Sequence, residues 1–421
     1  MTKASPETQF YRWVILFCSF LVLFVTNGMT LGGIAVFDLQ ILNALQESSG
    51  DQVPLADLKF RDFIMFAVGG SLGLLGGWLA DRVGVKPLFI IGLALMAFCN
   101  FAYSQVQSLI DIYWIHAGYG VVLVLAGLML NVYLVSRWFE KRRGLAIGIL
   151  LSGSSLGNAF FPQLNTWLLA TYSWQDAFVW LAMIPVALLP LAIFVLRSSP
   201  KNSNQNNSLL SNDDELTGYT LTEALLSRNF WIIGSMAFCT FYSIIAMSAT
   251  TFNFLSAENY SPQISATGVT VLFIGGLVGK LISGQLAESL GRKRILLFSL
   301  TLMLSGSIGL VLAVFLKHEF FIWVGLVGFG FGWGGIYTLI QLLSADIFGL
   351  KSLGKILGAV NVLDTLGAAL GPWVTALLLD RTGSFLASFV LITVLLIIAT
   401  VVSAFLDISK AAYLQKNATS H

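Results

Sequence analysis

Apolar residues run through this chain in long blocks. Twelve can be traced, with limits near 13–37, 62–80, 87–104, 109–135, 144–171, 177–196, 229–252, 265–287, 295–316, 320–343, 355–379 and 386–406. Most approach the roughly 20 residues that carry an α-helix across a hydrocarbon core about 30 Å thick. Polar turns separate the blocks, and two of these connections are longer, at 38–61 and 197–228. The second contains KNSNQNNSLLSNDDE, a polar, low-complexity run that predicts a flexible linker. The expected fold is an all-α polytopic membrane protein. Its twelve transmembrane helices form two six-helix halves, 1–196 and 229–421, joined by the linker at 197–228 and ending in a short tail.

Composition agrees. The 421 residues are 57% hydrophobic and 10% charged, against about 25% charged in a soluble domain. Mean hydropathy is +0.83. This balance excludes a water-soluble enzyme, a disordered protein and a nucleic-acid binder, and a net charge of +2 supplies no field for polyanions. Cys18, Cys99 and Cys239 lie scattered in apolar blocks and form neither a disulfide framework nor a metal site. His116, His318 and His421 fall in no ligand pattern, and His116 reads as a packed neutral histidine. The first block exceeds a signal-peptide core in length and reads as a retained membrane helix.

Lys and Arg set the expected orientation. Eighteen of the 23 fall on the side that carries both termini and the even-numbered connections. Four (Lys59, Arg61, Lys317 and Arg381) fall on the other side, and Lys280 lies within a block. The asymmetry places both termini in the cytoplasm, in an integral cell-membrane protein.

The halves echo one another. Gly77-Trp78-Leu79-Ala80-Asp81 follows block 2, and Gly284-Gln285-Leu286-Ala287-Glu288 follows block 8, at an offset of 207 residues. Gly148, Gly157 and Pro162 recur as Gly358, Gly367 and Pro372 at an offset of 210. An internally duplicated bundle with its site between repeats is a transporter architecture.

These residues resemble the major facilitator superfamily. The run from Gly77 to Lys86 is similar to its loop signature between helices 2 and 3, with Val85 where a basic residue is usual. The run from Trp138 through Glu140, Arg143 and Gly148 to Ser152-Gly153 and Gly157 resembles the helix-5 signature of monocarboxylate transporters and the oxalate/formate exchangers. Four features depart from that group. The acid-Gly-small-aromatic run of helix 1 is replaced by Thr26-Asn27-Gly28-Met29, and a helix-1 lysine of the animal members has no counterpart. Lys280 matches an arginine of those families, but Gly276 stands where animal members carry aspartate, and Asp364 where the oxalate exchanger carries lysine. The resemblance implies a small-anion carrier with an altered binding site.

Within the twelve blocks Lys280 and Asp364 are the only deep basic and acidic residues. A charge at the centre of a membrane helix costs about 2.5–3.5 kcal/mol on the insertion scale, so such residues face a bundle interior or a wet cavity. Counted from Glu288 and Lys355, the two lie ~12 and ~14 Å in from the same surface at 1.5 Å per residue. The expectation is that Lys280 binds a substrate carboxylate while Asp364 neutralises it in the empty carrier or carries a coupled proton. The alternative is a fixed ion pair holding the second half together. Weaker polar candidates for substrate contact are Asn27, Tyr119, Asn158, Tyr242, Trp333, Tyr337 and Asn361, the last on the same helix face as Asp364. Each could equally make an inter-helix hydrogen bond.

Gly77, Asp81 and Arg82, with Glu288 and Arg292 in the second half, are gating candidates, Asp81 by docking at a helix N-terminus. The basic residues at 137–143 read as topology and anionic-lipid contacts. Gly148, Gly153, Gly157, Gly358, Gly367 and Gly371 offer small faces for close helix contact. No phosphate-binding loop with a following Lys-Ser/Thr occurs, so no ATP-driven step, cofactor or catalytic residue is expected. The leading expectation is a monomeric secondary transporter of a small organic anion, a monocarboxylate, by proton symport or anion exchange. The alternatives are an exporter of amphiphilic or cationic compounds read by Asp364, and a non-transporting membrane sensor.

Overall fold

The computed structural model describes residues 6–139, 142–197, 218–349 and 351–408. Positions 198–217 of the expected linker, Lys3, Glu140, Lys141 and the tail from 409 lie outside the described residues. The described chain is helical apart from turns and one isolated bridge, Gly218 to Gly349. Its first half contains α1 (Pro6–Asn27), α2 (Asp38–Ser49), α3 (Leu55–Val83), α4 (Val85–Tyr103), α5 (Leu109–Ala126), α6 (Leu128–Trp138), α7 (Arg143–Thr171) and α8 (Trp174–Pro190). A short α9 (Leu221–Leu226) follows. Then come α10 (Arg228–Ala257), α11 (Pro262–Leu290), α12 (Arg292–Leu316), α13 (Glu319–Gly334), α14 (Ile336–Phe348), α15 (Leu353–Thr382) and α16 (Phe385–Ala404). Among the described residues, eleven helical stretches are long and apolar enough to cross a bilayer, and twelve when α3, bent by 52° between Gly73 and Leu75, counts as one span.

Two boundaries differ from the apolar blocks, each for a physical reason. The first block ends its α-helix at Asn27, passes through a π turn (Gly28–Gly32) and a 3-10 turn (Ile34–Phe37), and resumes as α2. Glycine weakens a helix by about 0.5–1 kcal/mol relative to alanine, and Gly28, Gly32 and Gly33 cluster at the break. A side chain at Gly32 or Gly33 would run into Asn158 or Asn165 of α7. Asn165 donates to the Gly33 carbonyl at 2.8 Å, so a side chain satisfies backbone freed from the ladder.

The second block begins early. Pro54, extended at φ −61° and ψ 145°, precedes the first turn of α3, and the Asp380 carboxylate accepts from the Leu55 and Ala56 amides at 3.2 and 2.7 Å. A carboxylate at a helix N-terminus satisfies orphan amides and complements the dipole. The helix therefore starts seven residues before the apolar run and takes Lys59 and Arg61 into its first two turns.

The internal duplication is visible in the backbone. The α3–α4 and α11–α12 turns pivot on Gly84 and Gly291, at φ +81° and +91°, conformations that glycine adopts without a Cβ penalty. The helices of the fourth and tenth apolar blocks are both broken, α5 from α6 at Gly127 and α13 from α14 at Gly335. In the first of these Asn131 donates to the Ala126 and Gly127 carbonyls at 2.9 and 2.8 Å.

Contacts divide the chain into two compact units. The first holds α1–α8 together with residues 247–273 of α10 and α11 and 372–380 of α15. In it α1 packs on α7, α3 on α5, and α4 on α5 and α8. The second holds α9, residues 228–246 of α10, 274–290 of α11, α12–α14, 353–371 of α15, and α16, with α12 packed on α13 and α16. Glycines set the closest approaches within each. Side chains at Gly153 and Gly157 would strike the Phe20 and Phe24 carbonyls of α1, and at Gly367 and Gly371 the Phe238 and Tyr242 carbonyls of α10. Gly148 and Gly358 face open space.

Candidate functional site

In the second unit the break between α13 and α14 gathers several of the expected residues. Trp333 and Tyr337 flank it, four residues apart. Lys280, half-buried on α11, holds its ammonium 5.7 Å from the Trp333 ring centroid, within cation–π range. The approach depends on Gly276, where any side chain would collide with the Trp333 indole, and on Gly279, where one would collide with the Phe331 carbonyl. Tyr337 hydrogen-bonds the Gln341 side chain, lies within electrostatic reach of Asp364, and packs edge-on against Phe241 at 6.1 Å. Asp364 is 8% exposed on α15. It accepts from the Thr365 hydroxyl at 3.2 Å, and Asn361 donates to Thr365 Oγ1 at 3.4 Å. Tyr242 is buried on α10 beneath Gly371. Lys280, Trp333, Tyr337, Asn361, Asp364 and Tyr242 thus belong to one unit. A cation beside an indole and a carboxylate beside a phenol and a hydroxyl can together recognise a small polar, charged solute.

Asn27, Asn158 and Tyr119 belong to the first unit. Asn27 donates to Ser154 Oγ at 2.8 Å, and Asn158 to the Ser154 carbonyl at 2.8 Å, beside the π turn. The Asn158 side-chain Oδ1 is buried without a hydrogen-bond partner. Tyr119 is packed at 5.3 Å against His116 and stacked at 6.2 Å on Tyr103, inside an aromatic cluster.

The loop residues differ between units. Asp81 accepts from Tyr133 Oη at 2.7 Å, and Arg137 donates to the same hydroxyl at 3.0 Å, a side-chain dock on α6 where the sequence reading expects a helix N-terminus. Arg82 lies over the Trp78 ring at 4.1 Å, and Gly77 faces open space. In the second unit the polarity is reversed. Arg292 donates to Asp346 of α14 at 2.5 Å and to the Leu342 carbonyl at 3.2 Å, and with the exposed Glu288 it lines a surface cavity shared with Lys293 and Arg294.

A further cluster escapes a reading that searches only the apolar blocks. Asp38, the first residue of α2, pairs with Lys59 at 2.6 Å and Arg61 at 2.5 Å, both on α3 and both fully buried. Asn253 of α10 donates to its second oxygen at 2.7 Å, and Lys59 also donates to the Ala249 carbonyl at 3.0 Å. Beside them Asp62 lies 3.8 Å from Arg61 Nε and 3.7 Å from His116 Nδ1. His116 Nε2 and Tyr103 Oη are 2.9 Å apart. All these residues belong to the first unit. Lys280 and Asp364 are therefore not the only charges buried within helices. The signal lay in Pro54, which marks a helix start upstream of Lys59.

Comparison with known proteins fits this architecture. The chain matches the Major Facilitator Superfamily profile over residues 13–372. It is 25% identical over 353 residues to the uncharacterized MFS-type transporter YhjX of Escherichia coli, covering 83% of this chain and 84% of that one. It is 26% identical over 389 residues to the oxalate:formate antiporter of Oxalobacter formigenes (87% and 89% covered), and 24% identical over 398 residues to monocarboxylate transporter 13 of Rattus norvegicus (92% and 87% covered). Its fold is similar to the crystal structure of a bacterial homolog of the human lysosomal transporter Spinster, with a TM-score of 0.65 at 14% identity over 98% of this chain and 99% of that one. With a profile match across most of its length, helices of membrane-spanning length and a duplicated backbone, the chain belongs to the Major Facilitator Superfamily.

Proposed function

We propose that this transporter moves a small organic anion, a monocarboxylate, by proton symport or anion exchange, with Lys280 binding the carboxylate. The observation that carries the reading is Lys280 itself. It is a half-buried ammonium within a membrane-spanning helix, held over Trp333 in the unit that also buries Asp364. An intramembrane cation is expensive and faces a binding or wet surface. The named relatives include an oxalate:formate antiporter and monocarboxylate transporters, which supports the anion class. Asp364, with Asn361, Tyr337 and Trp333, completes the contact set. It balances Lys280 when no substrate is present or carries the coupled proton. Asn27, Tyr119, Asn158 and Tyr242 are weaker candidates for substrate contact. Gly77, Asp81, Arg82, Glu288 and Arg292 act at the loops that open and close the carrier. The chain works as two six-helix halves, 1–196 and 229–421, as a monomer with both termini cytoplasmic.

The test uses purified protein in liposomes loaded with a pH-sensitive dye while small carboxylates are added outside. Internal acidification with one of them, lost in Lys280→Gln, identifies proton-coupled anion transport. Counterflow of labelled against unlabelled carboxylate without a dye response identifies exchange. Silence in both assays from folded protein rejects the anion and favours an amphiphilic cation read by Asp364.

A further inference from the structure

The charged cluster of the first unit contains a pair that its ionic mesh leaves incomplete. Asp38 is saturated, since Lys59 and Asn253 bind one oxygen and Arg61 the other. Asp62 is not. Its Oδ1 sits at 3.7–3.8 Å from His116 Nδ1 and Arg61 Nε, beyond hydrogen-bonding distance. Its Oδ2, His116 Nδ1 and Arg61 Nε are all buried with no hydrogen bond of good geometry, and the Arg61 backbone lies within reach of the imidazole. Buried polar atoms in native structures are usually hydrogen-bonded, so the carboxylate and imidazole that face one another here have the least satisfied polar atoms of the cluster. The other imidazole nitrogen faces the Tyr103 hydroxyl at 2.9 Å, so the ring is fixed from behind.

We propose that Asp62 and His116 form a site that binds one exchangeable proton. A carboxylate oxygen and an imidazole nitrogen facing one another share a proton through a single short contraction. The added proton comes from water and resides on the Asp62 carboxyl, facing the neutral His116 imidazole. With neutral imidazole, the cluster of Asp38, Lys59, Arg61 and Asp62 sums to zero charge, and the bound proton takes it to +1. The groups around the pair are Asp38 from α2, Lys59 and Arg61 from α3, Tyr103 from α4 and Tyr119 from α5, with Cys99 of α4 behind Tyr119 and uncharged Asn253 from α10. Protonation removes a counter-charge from Arg61 and throws both cations onto Asp38, the carboxylate that also holds Asn253. The bound proton is thereby coupled to the contact that ties the 247–257 end of α10 to α2 and α3 within the first unit. The inference deepens the coupling part of the proposed function, and it stands if the cargo is a different solute.

The experiment needs no substrate. Full-length protein in lipid nanodiscs is titrated between about pH 8 and about pH 5, and infrared difference spectra follow the carbonyl stretch of a protonated carboxylic acid. Wild type is expected to show a titrating band that is lost in Asp62→Asn and kept in Asp364→Asn and Lys280→Gln. His116→Gln is expected to shift its midpoint by about one pH unit, the ordinary spread that surroundings impose on a carboxyl group. A titrating band unchanged in folded Asp62→Asn, or no titrating band in wild type, overturns the proposal. Should Asp62→Asn fail to fold, His116→Gln decides, and an unmoved midpoint rejects the pair. Because Lys280→Gln reports on the anion reading in the transport assay, the two can fail separately.

Discussion

The first unit surrounds Asp38 with two cations and an amide, all buried and in direct contact, whereas the second sets Lys280 over an indole ring and Asp364 beside a hydroxyl. The same chemical cost, charge removed from water, is met in two ways. An ion mesh is stiff, because removing one member strands the others in a medium that cannot solvate them. Aromatic faces and hydroxyls orient a charge through contacts weaker than an ion pair, and such contacts exchange more readily when a ligand arrives. On the proposed reading, charges that hold the fold and charges that read a solute differ in their partners and not in their depth.

Cutting the mesh tests this most severely. Asp38→Ala leaves Lys59 and Arg61 buried without their common counter-ion, and breaking such a pair costs about 3–5 kcal/mol. Folded yield and melting temperature in detergent should collapse. A variant that melts like wild type would remove the distinction between the units.

The reverse expectation holds for Lys280→Gln. A lost hydrogen bond to a charged group is worth about 1.5–3 kcal/mol, so uptake of the responding carboxylate should fall about ten- to hundredfold. Its melting temperature should move far less than that of Asp38→Ala. Unfolding instead of inactivity would put Lys280 in the structural class.

Gly276→Ala sharpens the second unit. The new methyl meets the Trp333 indole, and overpacking costs about 1–3 kcal/mol. Stability should drop modestly and the substrate concentration for half-maximal uptake should rise, since Trp333 must move from Lys280. Unaltered transport would detach the ring from the site.

The smallest effect is expected at the loop. Tyr133→Phe removes the hydroxyl joining Asp81 to Arg137, an exposed contact worth about 1 kcal/mol or less. Melting should barely change while the turnover rate shifts. A large melting change would mean that this contact holds the fold rather than gates it.

Much of this protein is legible along the chain, because a lipid bilayer imposes a one-dimensional rule. Every span must hide its backbone in a helix of sufficient length and present apolar side chains, and hydropathy reports both. The duplication is legible for the same reason, and Gly84 and Gly291 keep the same unusual backbone 207 residues apart. Lys280 and Asp364 stand out against apolar neighbours. Lys59, Arg61 and Asp62 do not, since a helix start dense in charge looks like a loop until Asp380, more than 300 residues away, accepts from its first amides. Asn253 gave no signal at all. Its role exists only because α10 brings its amide to Asp38.

Local chemistry thus set the spans, the repeat and the isolated charges, since each depends on residues within a helix length of one another. Folding in three dimensions settled which charges are neutralised and by what. Electrostatic partnership is decided by distances of about 3 Å between side chains from remote helices, and no pattern along one chain encodes those distances.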